Sequence, residues 1–177
     1  MLPDVTSRDH ETKEELTVQL RFKVNTKIQK PVEEVFDAIY NPAKLSEYFT
    51  TGGASGPLEE GKTVIWQFAD FPGEVPVHVT QVIPNRLLAF EWSEGEGETD
   101  EQGNKRVVVD DSNMLQVRIE LEPLEDGSTL VTISEGEWRP TQKGLDRSYG
   151  NCSGWTEMSL CLKAWVEYGI NLRKGAH

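Results

Sequence analysis

LTVQLRFKVNTKIQKPVEEVFDAIYNPAKL, residues 16–45, contains the change of period on which the fold turns. Leu16, Val18, Leu20, Phe22, Val24, Thr26 and Ile28 alternate with Thr17, Gln19, Arg21, Lys23, Asn25 and Lys27. Sustained alternation of this kind predicts a long strand with one buried and one wet face. The period then becomes helical. Val32, Val35, Phe36, Ile39 and Tyr40 follow i, i+3, i+4, i+7, i+8 spacing, which puts them on one face of a helix. Pro31 suits its start, and Glu33 and Glu34 complement the positive end of its dipole. Asn41-Pro42 ends it, because the residue before proline is pushed out of helical geometry. Leu45, Tyr48 and Phe49 predict a second short amphipathic helix.

Working outward, residues 50–92 read as antiparallel sheet, punctuated by Gly52, Gly53, Gly56-Pro57 and Glu60-Gly61-Lys62. Val64, Trp66 and Phe68 share one face of a strand, and Phe71-Pro72-Gly73 is expected to turn. Val75, Val77 and Val79 continue in phase, whereas Val82 is out of phase and predicts a bulge. Pro84-Asn85-Arg86 closes a hairpin before Leu88, Phe90 and Trp92. Residues 93–113 break the pattern with seven acidic residues, two basic ones and three glycines, and read as a solvated acidic hairpin or loop. Sheet resumes with Leu115, Val117, Ile119 and Leu121. Asp126-Gly127 is a hairpin signal, and a strand follows over 129–138. There Val131 and Ile133 share one phase, with Trp138 on the other. Trp155, Met158, Leu162, Trp165, Gly169 and Leu172 then repeat at helical spacing, predicting a long amphipathic helix ended near Gly175. The pattern is α+β.

The chain has 177 residues and a net charge of −12, from 18 basic and 30 acidic side chains. One domain with its own core is expected at this length. The charge disfavours nucleic acid and anionic membranes as partners. It is uneven, since residues 1–15 carry −3 and residues 93–113 carry −5. Residues 1–15 read as a flexible acidic tail, and residues 16–175 as the domain. With no signal-like or membrane-spanning segment, the expected location is cytoplasmic. Cys152 and Cys161 are nine residues apart, about 13.5 Å along one helix. They are expected as free thiols.

Catalytic constellations are scarce. His10 and His177 lie near the termini, and His78 alternates with Val77 and Val79, which places it on the wet face of a strand. No HExxH, CxxC, GxSxG, Walker or GxGxxG pattern occurs, so neither metal nor cofactor is expected. The aromatic residues carry more information. All five tryptophans fall on predicted strands or on the terminal helix, which must lay its apolar stripe on the sheet. Rings therefore converge between helix and sheet, either as a filled core or as the wall of a ligand cavity.

The order of elements resembles the helix-grip fold of the Bet v 1/START-like superfamily, and within it the subgroup similar to the activator of Hsp90 ATPase. The matching stretches are Ile28–Ile39, Asn41-Pro42-Ala43-Lys44-Leu45, Pro84-Asn85-Arg86-Leu87 leading to Phe90-Glu91-Trp92, and Gly154-Trp155 with Met158 and Leu162. The resemblance implies an antiparallel sheet of about seven strands wrapped around the C-terminal helix, with two short helices after the first strand. It also implies an apolar cavity holding a hydrophobic small molecule, lipid-like or of polyketide and aromatic type. The expected wall is Trp66, Phe68, Phe90, Trp92, Trp138, Trp155 and Met158. Two alternatives stand beside binding: a cyclase or hydrolase of polyketide-like substrates, requiring a buried ionisable group in the cavity, and an interaction domain associated with an Hsp90-type chaperone or with the stress response. A homodimer is the remaining partner expectation.

Overall fold

The computed structural model describes residues 18–99, 101 and 105–175; the expected flexible tail lies outside the described residues. The elements are β1 (Leu20–Ile28), α1 (Val32–Tyr40), α2 (Pro42–Leu45), β2 (Gly53–Ala54), β3 (Thr63–Phe68), β4 (Phe71–Ile83), β5 (Leu87–Ser93), β6 (Glu96–Thr99), β7 (Lys105–Val108), β8 (Met114–Pro123), β9 (Thr129–Trp138) and α3 (Gln142–Tyr168). Seven strands form one antiparallel sheet in the order β1-β9-β8-β5-β4-β3-β2, and β6 pairs with β7 in a separate ribbon. The long helix α3 packs across β1 and β9, and α1 and α2 close one end. This is the α+β helix-grip arrangement that the sequence predicts.

Local chemistry accounts for most of these elements. Pro31 stands at the start of α1, where its missing N–H has no helical partner to lose. Asn41 ends α1 and caps α2, its Oδ1 accepting from the backbone N–H of Ala43 at 3.0 Å. Along β8, Leu115, Val117, Ile119 and Leu121 are buried and their neighbours exposed, because only one sheet face is covered. The bulge foreseen near Val82 falls at Thr80, between the pairs Val79–Phe90 and Gln81–Ala89.

Three expectations are corrected. The turn after β3 is Ala69-Asp70, and Phe71-Pro72-Gly73 is already strand. Proline is tolerated there because β4 pairs with β5 only from Val77 onward, which leaves its first half an edge. Helix α3 stops at Tyr168, not near Gly175. Gly169 takes a left-handed conformation at φ 67°, and Ile170 N–H closes the end onto the Ala164 carbonyl at 3.2 Å. Leu172 is consequently exposed. Finally, Trp138 lies on the inner face with Val131 and Ile133. Between the pairs Phe22–Glu135 and Leu20–Trp138, β9 carries an extra residue, and Glu137 adopts φ 68°. This bulge reverses the phase of everything after it.

The core lies between α3 and the inner sheet face, where Ile28, Val35, Ile39, Leu45, Tyr48, Trp66, Phe90, Ile119, Ile133 and Leu162 are essentially inaccessible. Each large side chain removed from water contributes roughly 1.5–3 kcal/mol. The Tyr48 hydroxyl donates to the Ala38 carbonyl at 3.1 Å, which joins α1 to the segment after α2 without leaving a buried polar atom unpaired.

Candidate functional site

One end of the helix–sheet interface is not filled. A cavity of about 330 Å³ opens there, walled by Phe49, Phe68, Trp92, Leu115, Trp138, Trp155 and Met158, with Phe71 and Val75 from the first half of β4. Its position follows from the strand lengths. Beyond Ser93 the chain leaves the main sheet, and the inner face near Trp92 lies opposite the first half of α3. That part contributes Gly150 and Gly154, which carry no side chain to fill the space. Two larger depressions occur elsewhere on the sheet, and they mix charged and apolar side chains: Arg118 and Glu120 with Leu87 and Leu130 in one, Arg21, Lys23 and Arg118 with Phe22 in the other.

Of the seven wall residues expected from sequence, Phe68, Trp92, Trp138, Trp155 and Met158 border the cavity. Trp66 and Phe90 do not. They are 1% exposed and form the layer behind, where Trp66 meets the rings of Phe49, Phe90 and Trp92 edge-on at centroid distances of 5.5, 5.2 and 6.0 Å. Trp92 and Trp155 lie at 5.4 Å, and Phe49 and Trp155 at 5.7 Å, so rings from strand, helix and the α2–β2 connection form one continuous aromatic surface. His78 is exposed on the outer face, 2.8 Å from Thr63 Oγ1. Cys152 and Cys161 are free thiols on α3.

Polar groups around the cavity were not found by sequence pattern. Glu135, on the inner face of β9, is 1% exposed. Its carboxylate accepts from Trp92 Nε1 at 2.6 Å, Trp155 Nε1 at 3.2 Å and Asn151 Nδ2 at 3.3 Å. Burial raises its pKa from 4.5 to about 7, against the opposing effect of these three donors. Its phase with Val131 and Ile133 is the sequence signal that could have located it. Glu94 is likewise buried although it sits in the acidic segment read as solvated. It meets Arg147 Nη1 at 3.3 Å and Arg139 Nε at 3.7 Å, and accepts from Asn113 Nδ2 at 2.6 Å. Arg139 also holds Asp110 at 3.2 Å, so both stems of the β6–β7 ribbon are pinned beside the cavity mouth. On the opposite rim Arg173 donates to Asp70 Oδ2 at 2.7 Å and to the Phe49 carbonyl at 3.2 Å, with its guanidinium over the Phe68 ring. The residues after α3 thereby clasp the β3–β4 turn.

Among the described residues no cluster of three or more His, Cys, Asp or Glu side chains is placed to hold a metal ion. No described helix is long and apolar enough to cross a membrane.

A curved antiparallel sheet closed over a long C-terminal helix, with an aromatic cavity at one end of their interface, defines a helix-grip protein. Residues 29–167 match the family described as activator of Hsp90 ATPase homolog 1-like protein, and the chain belongs to that family. No curated protein matches it. Solved structures share its fold. A protein of Staphylococcus saprophyticus is 24% identical with a TM-score of 0.67, over 87% of this chain and 96% of that one. DynU16, from the dynemicin biosynthetic locus, is 21% identical with a TM-score of 0.66, over 84% of this chain but 48% of its own. The Aha1 dimer from Colwellia psychrerythraea is 21% identical with a TM-score of 0.62, over 85% and 98%.

Proposed function

We propose that this protein binds a hydrophobic small molecule with an aromatic body in the cavity between β5 and α3. The observation that carries this is the unfilled space itself, about 330 Å³ walled mainly by rings and Met158. That volume is at the lower end of the roughly 300–1,000 Å³ of ligand pockets. Rigid rings offer contact area at little entropic cost, and a methionine adapts its shape to the ligand. The structural likeness to DynU16, whose locus makes dynemicin, is compatible with this ligand class.

A catalytic role in polyketide-like chemistry needs an ionisable group that touches the substrate. Glu135 has the burial and the raised proton affinity, but Trp92, Asn151 and Trp155 cover its carboxylate. Binding is therefore favoured over catalysis.

Gly154 allows a direct test. It borders the cavity, and a Cβ built there meets nothing within 4 Å. Gly154→Leu should occupy the space while improving helix propensity. Calorimetric titration with 2-naphthylmethanol should show saturable binding to the wild type. The variant should bind at least about tenfold more weakly with no loss of thermal stability, since filling the site removes the ligand's apolar contact. Equal binding by both proteins, or none by the wild type, would overturn the proposal.

A further inference from the structure

Most polar groups around the cavity already have partners. Trp92 and Trp155 line it, yet both indole N–H groups are engaged by Glu135. Asn151 lines it too; its Nδ2 donates to the same carboxylate, and its amide oxygen is an acceptor. The Nε1 of Trp138 is buried and has no hydrogen-bond partner among the described residues. Among the described lining residues Arg173 is the one cation, and it is bonded to Asp70 and the Phe49 carbonyl. Against it stand three lining carboxylates, Asp70, Glu94 and Glu157. Most of the donors in the described wall are thus already engaged.

Glu135 adds to this from behind the rings. Glu94 is balanced by Arg139 and Arg147, and Asp70 by Arg173. Glu135 has no such partner: among the described residues every group bonded to it is a neutral donor. Its register neighbours, Phe22 on β1 and Val117 on β8, are apolar. Arg21 and Lys23 of β1 and Arg118 of β8 share a depression on the sheet with it, but among the described residues no ion pair joins them to its carboxylate. A buried carboxylate without a cation is costly to keep, and it is relieved by positive charge brought near.

We propose that the cavity selects a hydrophobic organic cation, a protonated amine on an aromatic body, seated against the Trp92 and Trp155 rings with the Glu135 carboxylate behind them. This rests on the cavity being a ligand site, as proposed above. Indole rings attract cations through their quadrupole, and a carboxylate at the N–H edge adds to that attraction. The Asn151 amide oxygen is an acceptor for an ammonium N–H. Anionic ligands, fatty acids among them, meet the like charge of the Glu135 carboxylate behind the rings.

Three probes on one ring system separate the outcomes: 2-naphthylmethylamine, 2-naphthylmethanol and 2-naphthoate, titrated calorimetrically at pH 8 and low salt. The amine should bind about tenfold tighter than the alcohol, within the range of a partly desolvated cation–π contact, and the carboxylate weakest. Glu135 takes up a proton near pH 7. At pH 6 the amine should therefore lose most of its advantage while the alcohol is unchanged. Glu135→Gln should bring the ratio of amine to alcohol affinity toward one, and the pH series on the wild type gives the same comparison if that variant fails to fold. Alcohol or carboxylate binding as tightly as the amine at pH 8 overturns the cation proposal and leaves the cavity as a ligand site. Failure of all three probes to bind overturns both.

Discussion

Replacing Glu135 by glutamine tests the buried carboxylate through stability. In the folded protein burial lifts its pKa from 4.5 to about 7. The unfolded chain gives up this proton near 4.5. Between the two values the native state holds a proton that the unfolded state has lost, so folding is favoured at low pH. That contribution is fully present below about 4.5 and disappears as pH rises through 7. Each tenfold in proton affinity is worth about 1.4 kcal/mol. Between pH 5 and pH 8 the wild type should therefore lose roughly 2 to 3 kcal/mol that the glutamine variant does not. Asp110, Asp126 and Glu167 have lowered pKa values and act in the opposite direction, losing stability on acidification. They are common to both proteins and cancel in the difference. The mismatch between the glutamine amide and the surrounding donors is a constant offset. Urea unfolding of both proteins at pH 5, 6, 7 and 8, followed by tryptophan fluorescence, gives the comparison. A stability difference that stays flat within about 0.5 kcal/mol across the series would refute the reasoning, because each pH unit within the window is worth about 1.4 kcal/mol.

Other substitutions probe the frame of the site. Trp66→Ala removes a fully buried ring and should cost about 3–5 kcal/mol in urea unfolding. Trp66→Phe also deletes a buried N–H that has no partner, and should cost far less; equal losses would contradict the packing described. Within α3, Gly144→Ala places a Cβ 2.0 Å from the Arg139 carbonyl and should lower the melting temperature. Gly150→Ala meets nothing within 4 Å and should stabilise by about 1 kcal/mol. The two should move in opposite directions. Arg173→Ala undoes the clasp on Asp70 and the Phe49 carbonyl at a cost of about 1 kcal/mol, and should speed carboxypeptidase trimming of the C-terminus. Unchanged trimming would count against the clasp.

The fold was legible where burial imposes a period. The alternation in β1 and β8 and the helical spacing of Val32 to Tyr40 reflect faces that must meet the core. The first half of α3 was not legible, since Gly144, Ser148, Gly150, Ser153 and Gly154 carry neither an apolar stripe nor strong helix propensity. The phase of Trp138 was lost because a bulge at Glu137 depends on backbone conformation, which a hydrophobic pattern does not encode. For the site, residue type separated aromatic from polar positions but not cavity wall from filled core. Trp66 and Phe90 alternate just as Phe68 and Trp92 do, and only the point where β5 leaves the sheet decides which rings border empty space. Glu135 and Glu94 were hidden for a related reason. Each lies in a polar run, SEGE and SEGEGE, and is buried by partners distant in sequence.

The ¹⁵N–¹H indole resonances of the five tryptophans report on ligand entry directly. Titrated with 2-naphthylmethanol, the signals of Trp92, Trp138 and Trp155, which border the cavity, should shift saturably. Those of Trp66, in the layer behind, and of Trp165, beside Tyr48, should move far less. Five unmoved resonances at saturating probe, or shifts confined to Trp66 and Trp165, would contradict a ligand site in this cavity.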